Sequence, residues 1–127
     1  MQEDLTRFKD DFVSAFNSRE YSYMLISPLH FLLNIEIYLA NVREEIINFE
    51  QLCEQIPRKF GSRSTVKEIL KHGVEFKYLV KSVRAEDKRL RAYEHTERYK
   101  AYVRECLDIL VFKNKNKKVA WMIDTGG

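Results

Sequence analysis

Residues 62–96 read SRSTVKEILKHGVEFKYLVKSVRAEDKRLRAYEHT, and this stretch determines which fold the chain can adopt. Ser62 is a residue type that caps helices, and apolar residues follow it at the spacing of one helical face. We therefore predict an amphipathic helix. Its apolar face consists of Val66, Ile69, Leu70, Gly73 and Val74. Its outer N-terminal end carries Ser64, Thr65, Lys67, Glu68 and Lys71.

The second half of the stretch predicts a β-hairpin. Residues 78–83 and 89–93 have the composition of strands, and the charged segment 84–88 between them has that of a turn. The basic side chains at the tip are Arg84, Lys88 and Arg89. A helix with an exposed basic end can enter a major groove, and a basic hairpin beside it can reach the DNA backbone.

Two helices are predicted near the N-terminus. Residues 3–18 contain an apolar stripe at helical spacing, which is formed by Leu5, Phe8, Phe12 and Phe16. Ser27 and Pro28 then give a helix cap followed by proline at the first helical position. Residues 29–40 are apolar nearly all round, so we expect this helix at the centre of the fold.

A short helix and a turn precede Ser62. Asn48 and Gln51 form a capping-box pattern. The apolar face of this helix comprises Phe49, Leu52, Cys53 and Ile56, and Pro57 limits its length. Residues 58–61 form the turn, so the sequence predicts two helices joined as a helix-turn-helix.

Charge divides unevenly along the chain. Residues 1–57 carry four basic and ten acidic residues, whereas residues 58–118 carry eighteen basic and eight acidic ones. Clustered Lys and Arg favour a polyanionic partner, because neutralising phosphates releases counterions. The alternative is a solvated face in a domain whose halves pack together, and charge alone does not decide between them.

The chain resembles the MarR-type winged-helix transcriptional regulators and, more distantly, the staphylococcal Sar-type regulators. Residues 62–66, Ser-Arg-Ser-Thr-Val, look like the opening of that family's recognition helix, and residues 86–89, Glu-Asp-Lys-Arg, match its acidic-x-Arg wing signature. The two segments match the family's spacing without a gap, and the match continues to Thr96 and Glu97, where the family's last helix begins. The resemblance covers residues 5–112.

The sequence departs from the family pattern at several places. Lys77 stands where the family commonly has a glycine that closes the recognition helix, and Tyr99 replaces another common glycine. The turn at residues 57–61 is a few residues longer than usual. Residues 113–123 have no counterpart in the family.

The resemblance implies a mainly α fold with a β-hairpin wing (α+β), a winged helix-turn-helix with dimerisation helices at both ends. The length of 127 residues suits one domain. Within it we expect a DNA-binding lobe over residues 45–95 and terminal dimerisation helices over residues 3–18 and 96–112.

The family functions as homodimers with interleaved terminal helices, and residues 96–112 carry a wide apolar stripe suited to this. The expected dimer interface comprises Phe8, Phe12, Tyr102, Val103, Cys106, Leu107 and Leu110. The alternative is that the stripe packs only on its own domain.

Duplex DNA is the expected partner. The predicted DNA-binding residues are Arg63, Ser64, Thr65, Lys67, Lys71, Arg84, Lys88 and Arg89. Asp87 lies two residues from Arg89 at the hairpin tip, so we expect it to orient that Arg by a charge-assisted hydrogen bond. Two other functions stay open: a winged-helix protein-interaction or architectural module, and a small enzyme or ligand carrier that uses Tyr21, Tyr23 and Tyr38.

Other classes find little support in the sequence. His30, His72 and His95 lack the spacing of a zinc site, and no glycine pattern for nucleotide binding occurs, so we expect no catalytic residue, no metal and no cofactor. The longest apolar run is too short to cross a membrane, and the N-terminus does not resemble a signal peptide. We therefore expect a cytoplasmic protein with reduced cysteines. Whether a small-molecule effector binds, as in some members of the family, stays open.

Overall fold

The computed structural model describes residues 1–17, 19–83 and 91–112. The elements in this part of the chain are α1 (Gln2–Ala15), α2 (Arg19–Leu25), α3 (Pro28–Val42), α4 (Phe49–Gln55), α5 (Arg63–Glu75), β1 (Leu79–Val83), β2 (Arg91–His95) and α6 (Glu97–Leu107). A 3₁₀ turn, Arg58–Phe60, joins α4 to α5, and a π-helical turn, Asp108–Phe112, follows α6. Among the helices so described, none combines the length and the apolar character that a membrane span requires.

The first predicted helix ends earlier than expected. The apolar stripe predicts a helix over residues 3–18, whereas α1 ends at Ala15 and its cap is Phe16. The sequence does not predict α2, which has seven residues. Tyr21, Tyr23 and Met24 of α2 are buried, so packing against the rest of the core stabilises a helix too short to show clear periodicity.

The central position of α3 is confirmed. Ser27 caps the helix by accepting a hydrogen bond from the His30 backbone N–H, and Pro28 occupies the first turn. One face is buried along the whole helix and packs against α2, β2 and α6. The buried residues of α3 are Leu29, Leu33, Asn34, Ile37 and Ala40.

Two helices end in the same way, with a non-glycine residue in the left-handed region. After α5, Lys77 has φ 63°; its N–H bonds the Val74 carbonyl (3.1 Å) and the Tyr78 N–H bonds the Gly73 carbonyl (2.8 Å). After α3, Glu44 has φ 57° and closes that helix with the same two-bond pattern. This is the Schellman motif, so Lys77 takes the conformation of the glycine that it replaces.

The hairpin is confirmed, and its second strand ends two residues later than predicted. The sequence predicts strands over residues 78–83 and 89–93, whereas β2 is Arg91–His95 and pairs antiparallel with β1 from Leu79↔His95 to Val83↔Arg91. Burial explains the later end, because Tyr93 and His95 both lie in the interior. The Tyr93 N–H also donates to the Ile47 carbonyl (2.9 Å), which ties β2 to the segment before α4.

The last helix begins where the resemblance implies, and its cap is Thr96, whose hydroxyl accepts a hydrogen bond from the Tyr99 N–H. Tyr99 fills the core instead of leaving the space of a glycine. Its ring stacks on Tyr78 with centroids 4.6 Å apart, and its hydroxyl donates to the Glu20 carbonyl (2.7 Å). One cluster of buried side chains thus joins α2 to α6 through the helix-turn-helix and the hairpin.

Candidate nucleic-acid interface

The helix-turn-helix is held by local caps at the start of both its helices. Asn48 and Gln51 form the predicted capping box, with both hydrogen bonds at 2.9 Å. Ser62 caps α5 by accepting a hydrogen bond from the Thr65 N–H (3.2 Å). The hydroxyls of Ser64 and Thr65 each lie 3.0 Å from the Ser62 Oγ. Both predicted DNA-binding hydroxyls therefore help to fix the start of α5, and each retains capacity for a further hydrogen bond.

The buried face of α5 determines which side chains stay exposed. Val66, Ile69, Leu70 and Gly73 are buried, as predicted from the spacing, while Val74 is half-buried. Gly73 permits a close approach, because a Cβ there would meet the Leu79 Cδ1 at 2.6 Å. The exposed Arg63, Lys67 and Lys71 recur every fourth residue, so they lie along one side of α5.

A groove of about 540 Å³ runs between that side of α5, the start of α4 and the hairpin. Phe49, Leu70, Val74 and Tyr93 supply much of its apolar lining. The charged residues that line it are Lys67, Lys71, Lys81, Arg91, Glu50 and Glu75. It is therefore a concave surface with a basic excess, and we call it the basic groove.

Sequence reasoning missed two cations of the basic groove, Lys81 and Arg91. Both belong to the hairpin, and Tyr93 is the cross-strand partner of Lys81. The Lys81 Nζ lies 5.7 Å from the centre of the Tyr93 ring, a cation–π contact that places this amine beside the groove. Alternation along a strand was the available signal, because residues 81, 91 and 93 share one face of the paired strands.

Arg63 is less free than the sequence predicts. Its guanidinium donates a hydrogen bond to the Glu50 carboxylate and lies 5.1 Å from the centre of the Phe49 ring. The hydrogen bond to Glu50 raises the pKa of Arg63 above its ordinary value. Arg63 thus spans the two helices of the helix-turn-helix, although its side chain keeps 44% of its exposure.

The remaining predicted wing residues, Arg84, Asp87, Lys88 and Arg89, lie outside the described residues. The base of the wing is described. The Thr96 N–H donates to the Tyr78 carbonyl (3.0 Å), and the Thr96 hydroxyl donates to the Lys77 carbonyl (2.9 Å). These bonds fix where the two strands leave the body of the protein.

A buried polar network anchors β2 to α3. The His95 Nε2–H donates to the Asn34 Oδ1 (2.9 Å), while the Asn34 amide donates to the His30 carbonyl (2.8 Å). The His95 backbone N–H donates to the Asn41 side chain (3.0 Å). Burial lowers the pKa of His95 to about 3, with a smaller contribution from Lys100. His95 is therefore neutral and holds the wing base against the central helix.

The predicted dimer residues fall into two groups. Val103, Cys106 and Leu107 are buried in the core of the single chain. Phe8, Phe12, Tyr102 and Leu110 are only half-buried. Aromatic contacts connect α1 to α6: the ring centroids are 4.6 Å apart for Phe12 and Phe16, 4.9 Å for Phe16 and Tyr21, and 5.0 Å for Tyr21 and Tyr102.

The aromatic residues considered for an enzyme or carrier serve mainly in packing. Tyr23 is buried and its hydroxyl donates to the Ile69 carbonyl (2.9 Å), while Tyr21 donates to the Glu105 carboxylate. Burial raises the pKa of both phenols. Tyr38 is half-buried beside an open groove between α3 and α6. In the described ranges, no three His, Cys, Asp or Glu side chains are placed to hold a metal ion.

A helix-turn-helix followed by an antiparallel hairpin, with the hairpin strand β2 packed against α3 and α6, defines a winged helix-turn-helix protein. No protein-family model matches the sequence, and no curated protein matches it either. Solved structures do show the same fold.

The structure of a mutant of S. aureus MepR has a TM-score of 0.57 at 13% identity, and the match covers 95% of this chain and 77% of that one. A crystal structure of the S. aureus MepR–DNA complex has a TM-score of 0.55 at 13% identity, covering 99% of this chain and 94% of that one. MepR is a MarR-family winged-helix regulator, so the predicted MarR-type fold is confirmed.

Proposed function

We propose that this protein is a transcriptional regulator that binds duplex DNA as a homodimer, through the N-terminal end of α5 and the basic groove beside it. The main support for this proposal is the position of Lys67, Lys71, Lys81 and Arg91 between a recognition-type helix and the base of a wing. DNA phosphates follow that boundary when such a helix enters the major groove. One of the structural neighbours is a MepR–DNA complex.

The proposal assigns different tasks to the different residues. Arg63, Ser64 and Thr65 lie at the end of α5 that would reach base edges. The groove cations would contact phosphates, and Arg84, Lys88 and Arg89 of the wing would add to them. Asp87 would orient Arg89.

Dimerisation through α1 is the second part of the proposal. This helix has little contact with the rest of the described chain, and it leaves Leu5 65% and Val13 61% exposed. Phe8 and Phe12 lie beside them, half-buried. A helix with an apolar stripe gains stability when a second copy covers it, and a twofold dimer suits DNA with two half-sites.

A titration of duplex DNA at 50 and 200 mM salt tests the DNA part. Log K should fall with log salt at a slope of about −0.9 per phosphate neutralised. Lys81→Ala and Arg91→Ala should weaken binding, and each should make that slope shallower by about 0.9, because one phosphate fewer is neutralised. Arg104→Ala, which removes a cation from α6, is the matched control and should leave the slope unchanged. Binding that ignores salt would favour the protein-interaction module instead.

Light scattering at micromolar concentration tests the dimer. We expect twice the chain mass of 15.2 kDa. Phe12→Asp should produce a folded monomer, because burying a carboxylate without a partner in an apolar interface costs about 2 kcal/mol or more. Ser14→Asp, on the exposed side of α1, should remain dimeric. If the wild type is a monomer at high concentration, the proposed dimer is wrong.

A further inference from the structure

Arg63 differs from the other two cations on its side of α5. It is hydrogen-bonded to the Glu50 carboxylate and lies over the Phe49 ring. Among the ion pairs of the described residues, neither Lys67 nor Lys71 has a carboxylate within 4.0 Å. Within the described part of the chain, two of the three side chains are therefore without an ion pair, whereas the third is held by one.

The support for Arg63 is itself fixed. Phe49 packs against the hydrophobic core, and the capping box of Asn48 and Gln51 holds the first turn of α4, which contains Glu50. A guanidinium on this support keeps few rotamers. It also keeps donors, because the guanidinium has five N–H groups and a single hydrogen bond joins it to Glu50.

We propose that Glu50 and Phe49 are positioning residues for DNA recognition: they fix the Arg63 guanidinium so that its free N–H groups meet a base edge in the major groove. The proposal rests on the proposed DNA-binding function. It assigns sequence discrimination to Arg63 with its support on α4, and general affinity to Lys67 and Lys71. Arg is suited to this task because its planar fork matches two acceptors of guanine.

Charge repulsion alone predicts that Glu50 weakens DNA binding, which is the opposite of a positioning role. Its carboxylate lines a groove that would face phosphates, so simple repulsion says that its removal tightens all DNA binding. Glu75 offers a matched control, because it lines the same groove and takes part in no ion pair among those found in the described residues. Glu50→Gln and Glu75→Gln remove the same charge, but only the first weakens the hydrogen bond that holds Arg63.

The experiment compares two duplexes of equal length and composition: one that the wild type selects from a randomised library, and a scrambled version of it. Glu50→Gln should reduce the ratio of the two affinities by about three- to tenfold, the effect of leaving one long side chain to be ordered on binding. Glu75→Gln should tighten both duplexes slightly and leave the ratio unchanged. Phe49→Leu should act like Glu50→Gln.

Two further variants test whether Glu50 acts through Arg63. Arg63→Lys keeps the charge but lacks the fork, so it should also lower the ratio while binding to the scrambled duplex persists. In an Arg63→Ala background, Glu50→Gln should have no further effect on the ratio, since residues that act as one unit are not additive. Thermal unfolding of each free variant shows that the fold is retained.

The outcomes separate this inference from the proposed function. If Glu50→Gln and Glu75→Gln change both duplexes alike, Glu50 is only a charge and the inference is wrong. If the wild type binds DNA without distinguishing the duplexes, Arg63 reads no base, so the inference fails while DNA binding stands. If the wild type binds neither duplex, the proposed function itself fails.

Discussion

Lys77 adopts a backbone conformation that glycine adopts without penalty. Its φ of 63° is required by the Schellman motif that ends α5. For a residue with a Cβ, the left-handed region costs roughly 1–2 kcal/mol, part of which glycine gives back through the greater entropy of its unfolded chain. We expect Lys77→Gly to stabilise the protein by about 0.5–1 kcal/mol in urea unfolding.

The matched control lies two residues earlier in the chain. Glu75 is the last residue of α5 and has a helical backbone. Glu75→Gly should therefore destabilise the protein by up to about 1 kcal/mol. Equal effects of the two glycines would mean that the conformation of Lys77 carries no strain.

His95 makes stability depend on pH. Its pKa is about 3 in the folded protein, because it is buried, and 6.5 is the ordinary value for histidine. Between these values the unfolded chain binds a proton that the folded chain does not. His95 therefore costs nothing above about pH 6.5 and reduces stability progressively as pH falls, by at most about 1.4 kcal/mol per unit.

His95→Gln keeps a donor for Asn34 but does not titrate. Urea unfolding at pH 7, 6 and 5 should show a shallower loss of stability with falling pH for this variant than for the wild type. The two curves should converge toward low pH. Parallel curves would assign the acid sensitivity to other groups.

Among the elements, the contact between α5 and β1 depends on Gly73. An added Cβ would meet the Leu79 Cδ1 and the Tyr23 Oη, both at 2.6 Å. Alanine favours helices over glycine by about 1 kcal/mol, but overpacking of a filled core costs about 1–3 kcal/mol. We expect Gly73→Ala to lower the free energy of unfolding, whereas the exposed Glu68→Ala on the same helix changes it by less than about 0.5 kcal/mol.

The helix caps and buried faces could be predicted from sequence because their causes are local. Ser27, Asn48 and Ser62 all cap the helices that follow them, as predicted. The bounds of α2 and β2 could not be predicted. Both depend on which tyrosines enter the core, and that is decided by helices distant in the sequence.

The candidate site could be predicted only in part, because some of its contacts join residues that are distant in the sequence. The sequence indicates that Lys67 and Lys71 lie on an exposed side of α5. It does not show that Lys81 and Arg91 lie across a groove from them, or that Glu50 pairs with Arg63, because these contacts join residues from different elements. Helical periodicity predicts on which side of a helix a residue lies, whereas the residue that it faces there depends on tertiary packing.

At the scale of the whole molecule, the sequence shows that a helix carries an apolar stripe. It does not show whether that stripe packs against its own chain or against a partner. The stripe on α6 predicts burial correctly, but three of the proposed interface residues, Val103, Cys106 and Leu107, are buried by their own chain. In the comparable stripe on α1, Leu5 is 65% exposed, and Phe8, Phe12 and Phe16 are only half-buried. The two terminal helices therefore have different roles in the single chain, although their amphipathic patterns are similar.

Because Cys106 is buried, the rate at which its thiol reacts with a reagent measures how often the core opens. Its thiol is fully shielded and burial raises its pKa to about 12, whereas Cys53 on α4 is partly exposed. A thiol reagent at neutral pH should therefore label Cys53 first, and Cys106 only in molecules whose core has opened. Mass spectrometry should resolve two labelling phases, and urea should accelerate the slower one. DNA that binds the folded state should slow that phase in proportion to its saturation, so labelling of a native cysteine would report ligand binding.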